Sequence, residues 1–378
     1  MGAAGPLSAP TWARWAPTAP FTLGVEEEVM LLDPWTWSLA QAIDEVLPRL
    51  PGVIAPRVTA ETHAAAAELA TGVHRTVGDA VAELRHLRGA MKETCAGCGL
   101  DVASAGTHPF TVWRETSLSS GARHELIYGS MRELARREPT FALHVHVGVP
   151  DPEDAIRAAN ALRAHLPVLL ALSANSPFWQ GRDSGLASAR TPLFQAFPRV
   201  GIPRAFADYE DYVRSVDLLV RLEAFPEPTF LWWDVRPQPR LGTVEVRIMD
   251  AQITLRATAA LVSLVQCLVA LELDAGLADE RAAAPEVLVE NRFLAARDGV
   301  KAALIDPGRE RRVPVAEMAG ELVEACMPYA RDLGCSGELA SVLDLVAAPP
   351  AAHQLEAARG PDRLRGLVAL LAQEFGER

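Results

Sequence analysis

Leu23-Gly-Val-Glu-Glu-Glu-Val-Met-Leu31 reads as a β-strand with one apolar and one acidic face. Successive side chains along a strand point to opposite sides, so Leu23, Val25, Val29 and Leu31 share one face while Glu26 and Glu28 share the other. Glu27 falls on the apolar side, which predicts an edge or a bend there. Two later stretches alternate in the same way. In Leu143-His-Val-His-Val-Gly-Val149 the valines oppose His144, His146 and Gly148, and in Thr243-Val-Glu-Val-Arg-Ile-Met249 the residues Val244, Val246 and Ile248 oppose Glu245 and Arg247. Strict period-two patterning over separate segments predicts strands that bury one face and keep the other polar.

Helical patterns fill the space around these strands. Asp151 is a natural N-cap, followed by Pro152 at the first helical position and Glu153 and Asp154 in the first turn. That helix is expected to bend or restart at Pro167. Further helices are expected from about Thr254 to Leu273, Pro285 to Asp298, Val315 to Leu333 and Leu355 to Phe375. The expected fold class is therefore α+β: a largely antiparallel sheet carrying the active site on one face, packed with helices, with a helical C-terminal third. Length alone would allow two or three domains at roughly 150 residues each. No Ser/Gly linker divides the chain, so residues 21–378 are read as one catalytic domain, and residues 1–20, Ala/Pro-rich with Trp12 and Trp15, as a flexible tail.

Composition narrows the partners. The 378 residues include 48 acidic and 36 basic side chains, a formal net charge of −12. Such a field repels phosphate backbones and argues against a nucleic-acid binder. Only Lys92 and Lys301 are lysines, and no G-x-x-x-x-G-K-[ST] occurs, so phosphate recognition must rest on arginine, metal ions or backbone N–H groups. An odd count of five cysteines without a secretory signal predicts a reducing, cytoplasmic setting. Cys95-Ala-Gly-Cys98 is a lone CxxC with no second pair and reads as packing. The most apolar helix, Ala257 to Leu273, is expected to be too short to span a bilayer, so no membrane is expected. Small-molecule substrates are, and a homodimer is the expected assembly.

If the three strands pair, their polar faces merge and carboxylates crowd one another. A divalent cation is the usual relief. Carboxylates with one or two imidazoles suit Mg²⁺ or Mn²⁺, whereas zinc prefers more His or Cys. Arg247, on the same face as Glu245, could meet an anionic phosphate with two parallel hydrogen bonds. Taken singly, each of these groups would read as an ordinary solvated strand face.

The runs Thr22-Leu-Gly-Val-Glu-Glu-Glu-Val29, Ala105-Gly-Thr-His-Pro-Phe110, His144-Val-His-Val-Gly148, Leu172-Ser-Ala-Asn-Ser-Pro-Phe-Trp-Gln-Gly181, Trp233-Asp-Val-Arg-Pro237 and Thr243-Val-Glu-Val-Arg247 resemble, in this order, the glutamate–cysteine ligase type 2 family. Within it they look most like the YbdK-type carboxylate–amine ligases. The resemblance extends from about Phe21 beyond Asn291-Arg-Phe-Leu-Ala-Ala-Arg297. It implies that Glu26, Glu28, Glu68, His144 and Glu245 bind Mg²⁺ (or Mn²⁺), that Arg247 is the catalytic, phosphate-binding arginine for ATP, and that Arg190 holds a substrate carboxylate. His146 is left open between a ligand and a hydrogen-bonded strand residue. The alanine run in Glu61-Thr-His-Ala-Ala-Ala-Ala-Glu68 departs from what the resemblance leads one to expect, and it makes Glu61 and His63 poor ligand candidates.

The implied activity joins a carboxylate to an amine through an acyl phosphate made at the expense of ATP, with glutamate–cysteine ligase activity as the family default. The loop Gly181 to Arg204 is a candidate lid. Two other readings compete: a metal-dependent hydrolase using the His-x-His strand, which would need further His or Asp ligands, and a relative that binds a nucleotide or amino acid without turnover.

Overall fold

Strand β1 (Leu23–Leu32) lies near the middle of a seven-stranded antiparallel sheet, with β2 (Val58–Ala60), β3 (Ala66–Ala70), β4 (Asp101–Ala103), β5 (Ala142–Gly148), β6 (Val235–Gln238) and β7 (Thr243–Asp250). The computed structural model describes residues 10–376 apart from 138, 280 and 361. The strand order is β6-β7-β5-β1-β3-β2, with β4 pairing the far end of β1. All three alternating segments thus sit side by side, as their patterns predict. Their apolar faces explain why the register holds. Leu23, Val25, Leu143, Val145, Val147, Val244, Val246 and Ile248 are all buried in one core. A slip of one residue would turn every one of them outward, and each such side chain contributes about 1.5–3 kcal/mol by being buried.

Helices cover that apolar face. They include α1 (Val77–Gly97), α3 (Pro152–Ser173) and α4 (Leu255–Asp274), with α5 (Pro285–Asp298), α6 (Val315–Leu333) and α7 (Arg363–Phe375) packed around them, whereas α2 (Ala122–Met131) lies over the polar face. Asp151 caps α3 by accepting from the N–H groups of Glu153 and Asp154 at 2.8 and 3.2 Å. The helix runs unbroken through Pro167, where the pattern predicted a bend or restart. The long C-terminal helix expected from Leu355 to Phe375 is instead two, Pro350–Ala357 and α7, parted at Gly360, whose φ of +95° suits glycine and leaves the helical range.

Three expectations need correction. Helix α4 is long and apolar enough to cross a membrane by length and composition, contrary to the reading from residues 257–273, but 83% of its most apolar window is buried inside the protein. It is the central core helix. Glu27 is neither at an edge nor at a bend. It is fully buried on β1 and receives Arg88 Nε at 2.8 Å and Nη2 at 2.9 Å, together with the Thr258 hydroxyl at 2.7 Å. The helix α1 guanidinium neutralises it, so Glu27 is part of the core. The tail assignment fails over residues 10–20. Trp15 Nε1 donates to Val149 O at 2.9 Å, Tyr209 Oη donates to Ala13 O at 2.6 Å, and Trp12 packs edge-on against Tyr212. Residues 1–9 of that expected tail lie outside the described residues.

The return of this segment over the sheet explains a glycine. A Cβ at Gly148 would stand 2.4 Å from Thr22 Oγ1 and 2.5 Å from Ala19 O, so only glycine fits at the end of β5.

Cys95 is fully buried on α1 and Cys98 half-buried at its end, within an apolar cluster with Val29, Leu31 and Met91. Burial pushes the Cys95 thiol up to about 12, away from the thiolate a metal would need. Cys95→Ser and Cys98→Ser are expected to leave activity and bound metal nearly unchanged. Stoichiometric zinc in the purified protein, released by either substitution, would contradict this packing role.

Candidate active site

The polar face of the sheet is assembled by register. Antiparallel pairing sets Glu26 opposite His144, Glu28 opposite Glu68, Glu245 opposite His146 and Arg236 opposite Glu245. Directly opposed Cβ atoms lie about 4.5–5.5 Å apart, so side chains from five strands meet in one patch. His144 Nδ1 stands 3.1 Å from Glu26 Oε2, and its Nε2 is 3.8 Å from Glu28 Oε1. His146 Nε2 lies 3.3 Å from Glu26 Oε1 and 3.9 Å from Glu245 Oε1. A bulge in β7 between Val246 and Met249 offsets Arg247 from the regular ladder. Its Nη1 reaches both Glu245 Oε1 and, at 3.4 Å, His144 Nδ1.

Ligand-type atoms gather in three overlapping sets, each within 4.8 Å: Glu26, Glu68 and His144; Glu26, His146 and Glu245; and Glu28, Glu61 and Glu68. The structure therefore brings together Glu26, Glu28, Glu68, His144 and Glu245, the residues singled out from the sequence. His146 and Glu61 fall within these sets too, whereas the alanine run makes Glu61 a poor ligand candidate. The short β2–β3 turn folds Glu61 back over the sheet, where Thr62 N donates to its Oε2 at 3.2 Å. His63 stays outside all three sets. It is buried, its Nε2 lies 3.4 Å from Arg136 O, and burial pushes its imidazole down to about 4.

The carboxylates divide electrostatically. Burial, then the neighbouring Glu61 charge, pushes Glu28 up to about 8. Burial followed by Glu26, Glu61 and Glu28 raises Glu68 well above the usual range, and burial also raises Glu61. Burial alone would raise Glu26 and Glu245 too, but His146 holds Glu26 low, and Arg236 and Arg247 hold Glu245 low. His144 is pushed down to about 4 by burial and then by Arg247. His146 is raised because Glu26 and Glu245 outweigh its burial. Mutual repulsion in the Glu28, Glu61 and Glu68 corner is what a bound cation would relieve.

The sequence pattern assigns no role to Arg236, which lies inside the run Trp233–Pro237. Its Nε donates to Glu245 Oε2 at 2.7 Å, its Nη1 donates to the carbonyls of Thr229 (3.2 Å) and Leu231, and Gln238 Nε2 adds a 2.7 Å bond to the same Glu245 oxygen. Arg236 thus ties Glu245 to the loop that carries Trp232. The available signal was the turn-linked β6–β7 hairpin, which places Arg236 beside Glu245.

Arg190 opens the short helix Arg190–Phe194 and is buried. Its Nη1 and Nη2 donate to Ile248 O at 3.0 Å and Arg247 O at 3.3 Å, and Asp250 Oδ1 lies 3.8 Å away. Its Nε has no hydrogen-bond partner. Part of the expected lid is fixed in place: Ser188 N donates to Ala296 O at 2.8 Å and its hydroxyl to Asp250 Oδ1 at 2.9 Å.

Two adjoining cavities open on this patch. The outer one, of about 410 Å³, is bordered by Glu26, Glu28, Glu61, Glu68, Arg236 and Arg247. The inner one, of about 80 Å³, shares Glu28, Glu61 and Arg247 and reaches Arg190 and an apolar wall.

The profile of glutamate–cysteine ligase family 2 matches residues 22–363. A Rubrobacter xylanophilus protein named "Putative glutamate--cysteine ligase 2-1" is 44% identical over 326 residues, covering 86% of this chain and 87% of its own. A Sorangium cellulosum protein named "Putative glutamate--cysteine ligase 2" is 40% identical over 329 residues, 85% and 87% of the two chains. The crystal structure of a Francisella tularensis glutamate–cysteine ligase in complex with AMP superposes with a TM-score of 0.68 at 13% identity, over 96% of this chain and 91% of that one, which shows a common fold. A match to the family profile over most of the length, together with relatives at this identity, places the chain in glutamate–cysteine ligase family 2.

Proposed function

We propose that this protein is an ATP-dependent carboxylate–amine ligase that forms an amide through an acyl phosphate. The observation that carries this reading is the patch of Glu26, Glu28, Glu61, Glu68, His144, His146 and Glu245, bordered by Arg247 at the mouth of two joined cavities. The donor set fits Mg²⁺ or Mn²⁺, being rich in carboxylate oxygen with two imidazoles and no thiolate. The Nε2 atom of His144 is buried without a hydrogen-bond partner, as a group reserved for a ligand would be, and His146 Nε2 faces Glu26 Oε1 at 3.3 Å. When bound, the ions would neutralise nucleotide phosphate oxygens. The Francisella tularensis relative was solved with AMP, and on this reading the outer cavity receives the nucleotide here.

The chain's own residues then divide the work. Arg247 holds the transferring phosphate as its charge spreads. Arg236 and Gln238 keep the Glu245 carboxylate anionic and aimed. Arg190 offers its unpartnered Nε to a substrate carboxylate. The acyl phosphate must be kept from water, which would otherwise hydrolyse it. A hydrolase is disfavoured because arginines, rather than further His or Asp ligands, complete the patch.

The test is ADP release from ATP in the presence of pooled amino acids and amines. A non-catalytic binder releases none, and a hydrolase turns over without ATP. Activity is expected to vanish in excess EDTA and to return with Mg²⁺ or Mn²⁺ but not zinc. Undiminished turnover in the chelator, or best activity with zinc alone, would remove the cation from the reading.

A further inference from the structure

Two of the sequence runs, residues 105–110 and 172–181, border neither of the two joined cavities. Both converge instead on Asp250, the last residue of β7, which is fully buried. Its Oδ2 accepts from Asn175 N at 2.9 Å and from the Ser176 hydroxyl at 2.6 Å, and its Oδ1 accepts from the Ser188 hydroxyl at 2.9 Å. Gly106 packs directly against it. A Cβ there would stand 2.6 Å from Asp250 Cγ, so any side chain would push the carboxylate out of place. Burial raises this carboxyl, and Arg190 first, then these donors, counter that. Among the described residues Asp250 is the one ion-pair partner of Arg190, at 3.8 Å.

Arg190 in turn holds the backbone that carries Arg247. Its Nη1 donates to Ile248 O at 3.0 Å and its Nη2 to Arg247 O at 3.3 Å. These two residues lie inside the β7 bulge, between Val246 and Met249. A bulge takes backbone groups out of the ladder and re-aims a side chain. At the other end of the same residue, Arg247 N donates to Asp234 O at 2.8 Å. Arg247 is thus fixed through its backbone on both sides, and its side chain borders both cavities. A buried guanidinium bonded only to carbonyls would be an uncompensated charge. Asp250 supplies the counter-charge, and the groups that donate to it fix its direction. We propose that Asp250 is a positioning residue for the ligase reaction: through Arg190 it locks the β7 bulge and so aims Arg247 at the transferring phosphate. The proposal rests on the ligase reading above for what Arg247 meets.

The experiment measures steady-state ADP release and thermal unfolding for Asp250→Asn, Ser188→Ala and Arg247→Lys, and for each of the first two combined with the third. Asp250→Asn removes the charge facing Arg190 and puts a donor where an acceptor stood. It is expected to lower kcat by about 10²-fold, the loss that follows a misplacement of about 1 Å, with little change in the KM for ATP. Added to Arg247→Lys it is expected to cost little more, because both changes remove the same contact. A merely structural role predicts otherwise: kcat of the folded protein stays near wild type, or the two losses multiply. Either result overturns the inference. Ser188→Ala keeps the charge and removes one hydrogen bond to Oδ1, so it decides the question if Asp250→Asn does not fold. A several-fold drop in kcat that disappears in the Arg247→Lys background is expected, and wild-type kcat overturns the inference. Wild-type-like kcat in Arg247→Lys, or no ADP release by the wild type with any amino-acid and amine pair, would fail the ligase reading and take this inference with it. A defect in Arg247→Lys with none in Asp250→Asn or Ser188→Ala would sink the inference alone.

Discussion

Arg247→Lys is expected to cut kcat by about 10²-fold or more, the loss typical of a removed transition-state contact, while the melting temperature stays close to that of the wild type. The guanidinium is largely buried, bonded through Nη1 to Glu245 and His144, and its Nε is without a partner. It borders both cavities. Lysine preserves the charge beside Glu245, so the ion pair and the electrostatic balance of the patch survive. It cannot reproduce the planar fork that receives a phosphate with two parallel hydrogen bonds. If Arg247 were only a surface partner of Glu245, the pair would contribute at most about 1 kcal/mol and kinetics would be near normal. Wild-type-like kcat in steady-state ADP release by Arg247→Lys would therefore remove the phosphate role.

The second expected result separates two adjacent glutamates. Glu26→Gln should abolish most activity and raise the Mg²⁺ concentration needed for half-maximal rate, yet leave the fold intact. Glu26 is held low by His146 but adds repulsion to Glu68 and Glu61, so removing its charge loses one favourable term and relieves another, and the net cost is smaller than for Glu27. Glu27→Gln should do the reverse. It leaves the fully buried Arg88 without its counter-ion, which costs about 3–5 kcal/mol when a buried pair is broken from one side. Thermal and denaturant unfolding would read that loss, while kcat of the remaining folded protein stays within a few-fold of wild type, as Glu27 lies on the opposite face from Glu26 and Glu28. Equal loss of kcat from Glu27→Gln, with no loss of stability, would mean that the two faces of β1 have been exchanged.

The contrast between Glu26 and Glu27 also shows what was legible in advance. Alternation along β1, β5 and β7 assigns each side chain to a face, because the pleat repeats every two residues and does so independently of the rest of the chain. Glu26, Glu28, His144, Glu245 and Arg247 could be grouped from that alone, once the strands were assumed to be neighbours. The resemblance to a ligase family supplied Glu68 and Arg190, which sit in segments with little periodic signal.

What the alternation could not supply was any partner brought in by a turn or a distant helix. Glu27 looked misplaced on an apolar face because its counter-ion, Arg88, comes from α1, 61 residues later. Glu61 looked irrelevant because only the tightness of the β2–β3 turn returns it above Glu68. Arg236 was unassigned because its role depends on pairing opposite Glu245 and on the carbonyls of the loop before it. Trp12 and Trp15 read as tail because their acceptor and ring partners lie more than a hundred residues away. Alternation and motif order are enough for the faces of the strands, the chemistry they present and the family. The tertiary structure decided which buried charges are neutralised by protein and which are left facing a cavity, since desolvation and Coulomb energy depend on distances that no local pattern encodes.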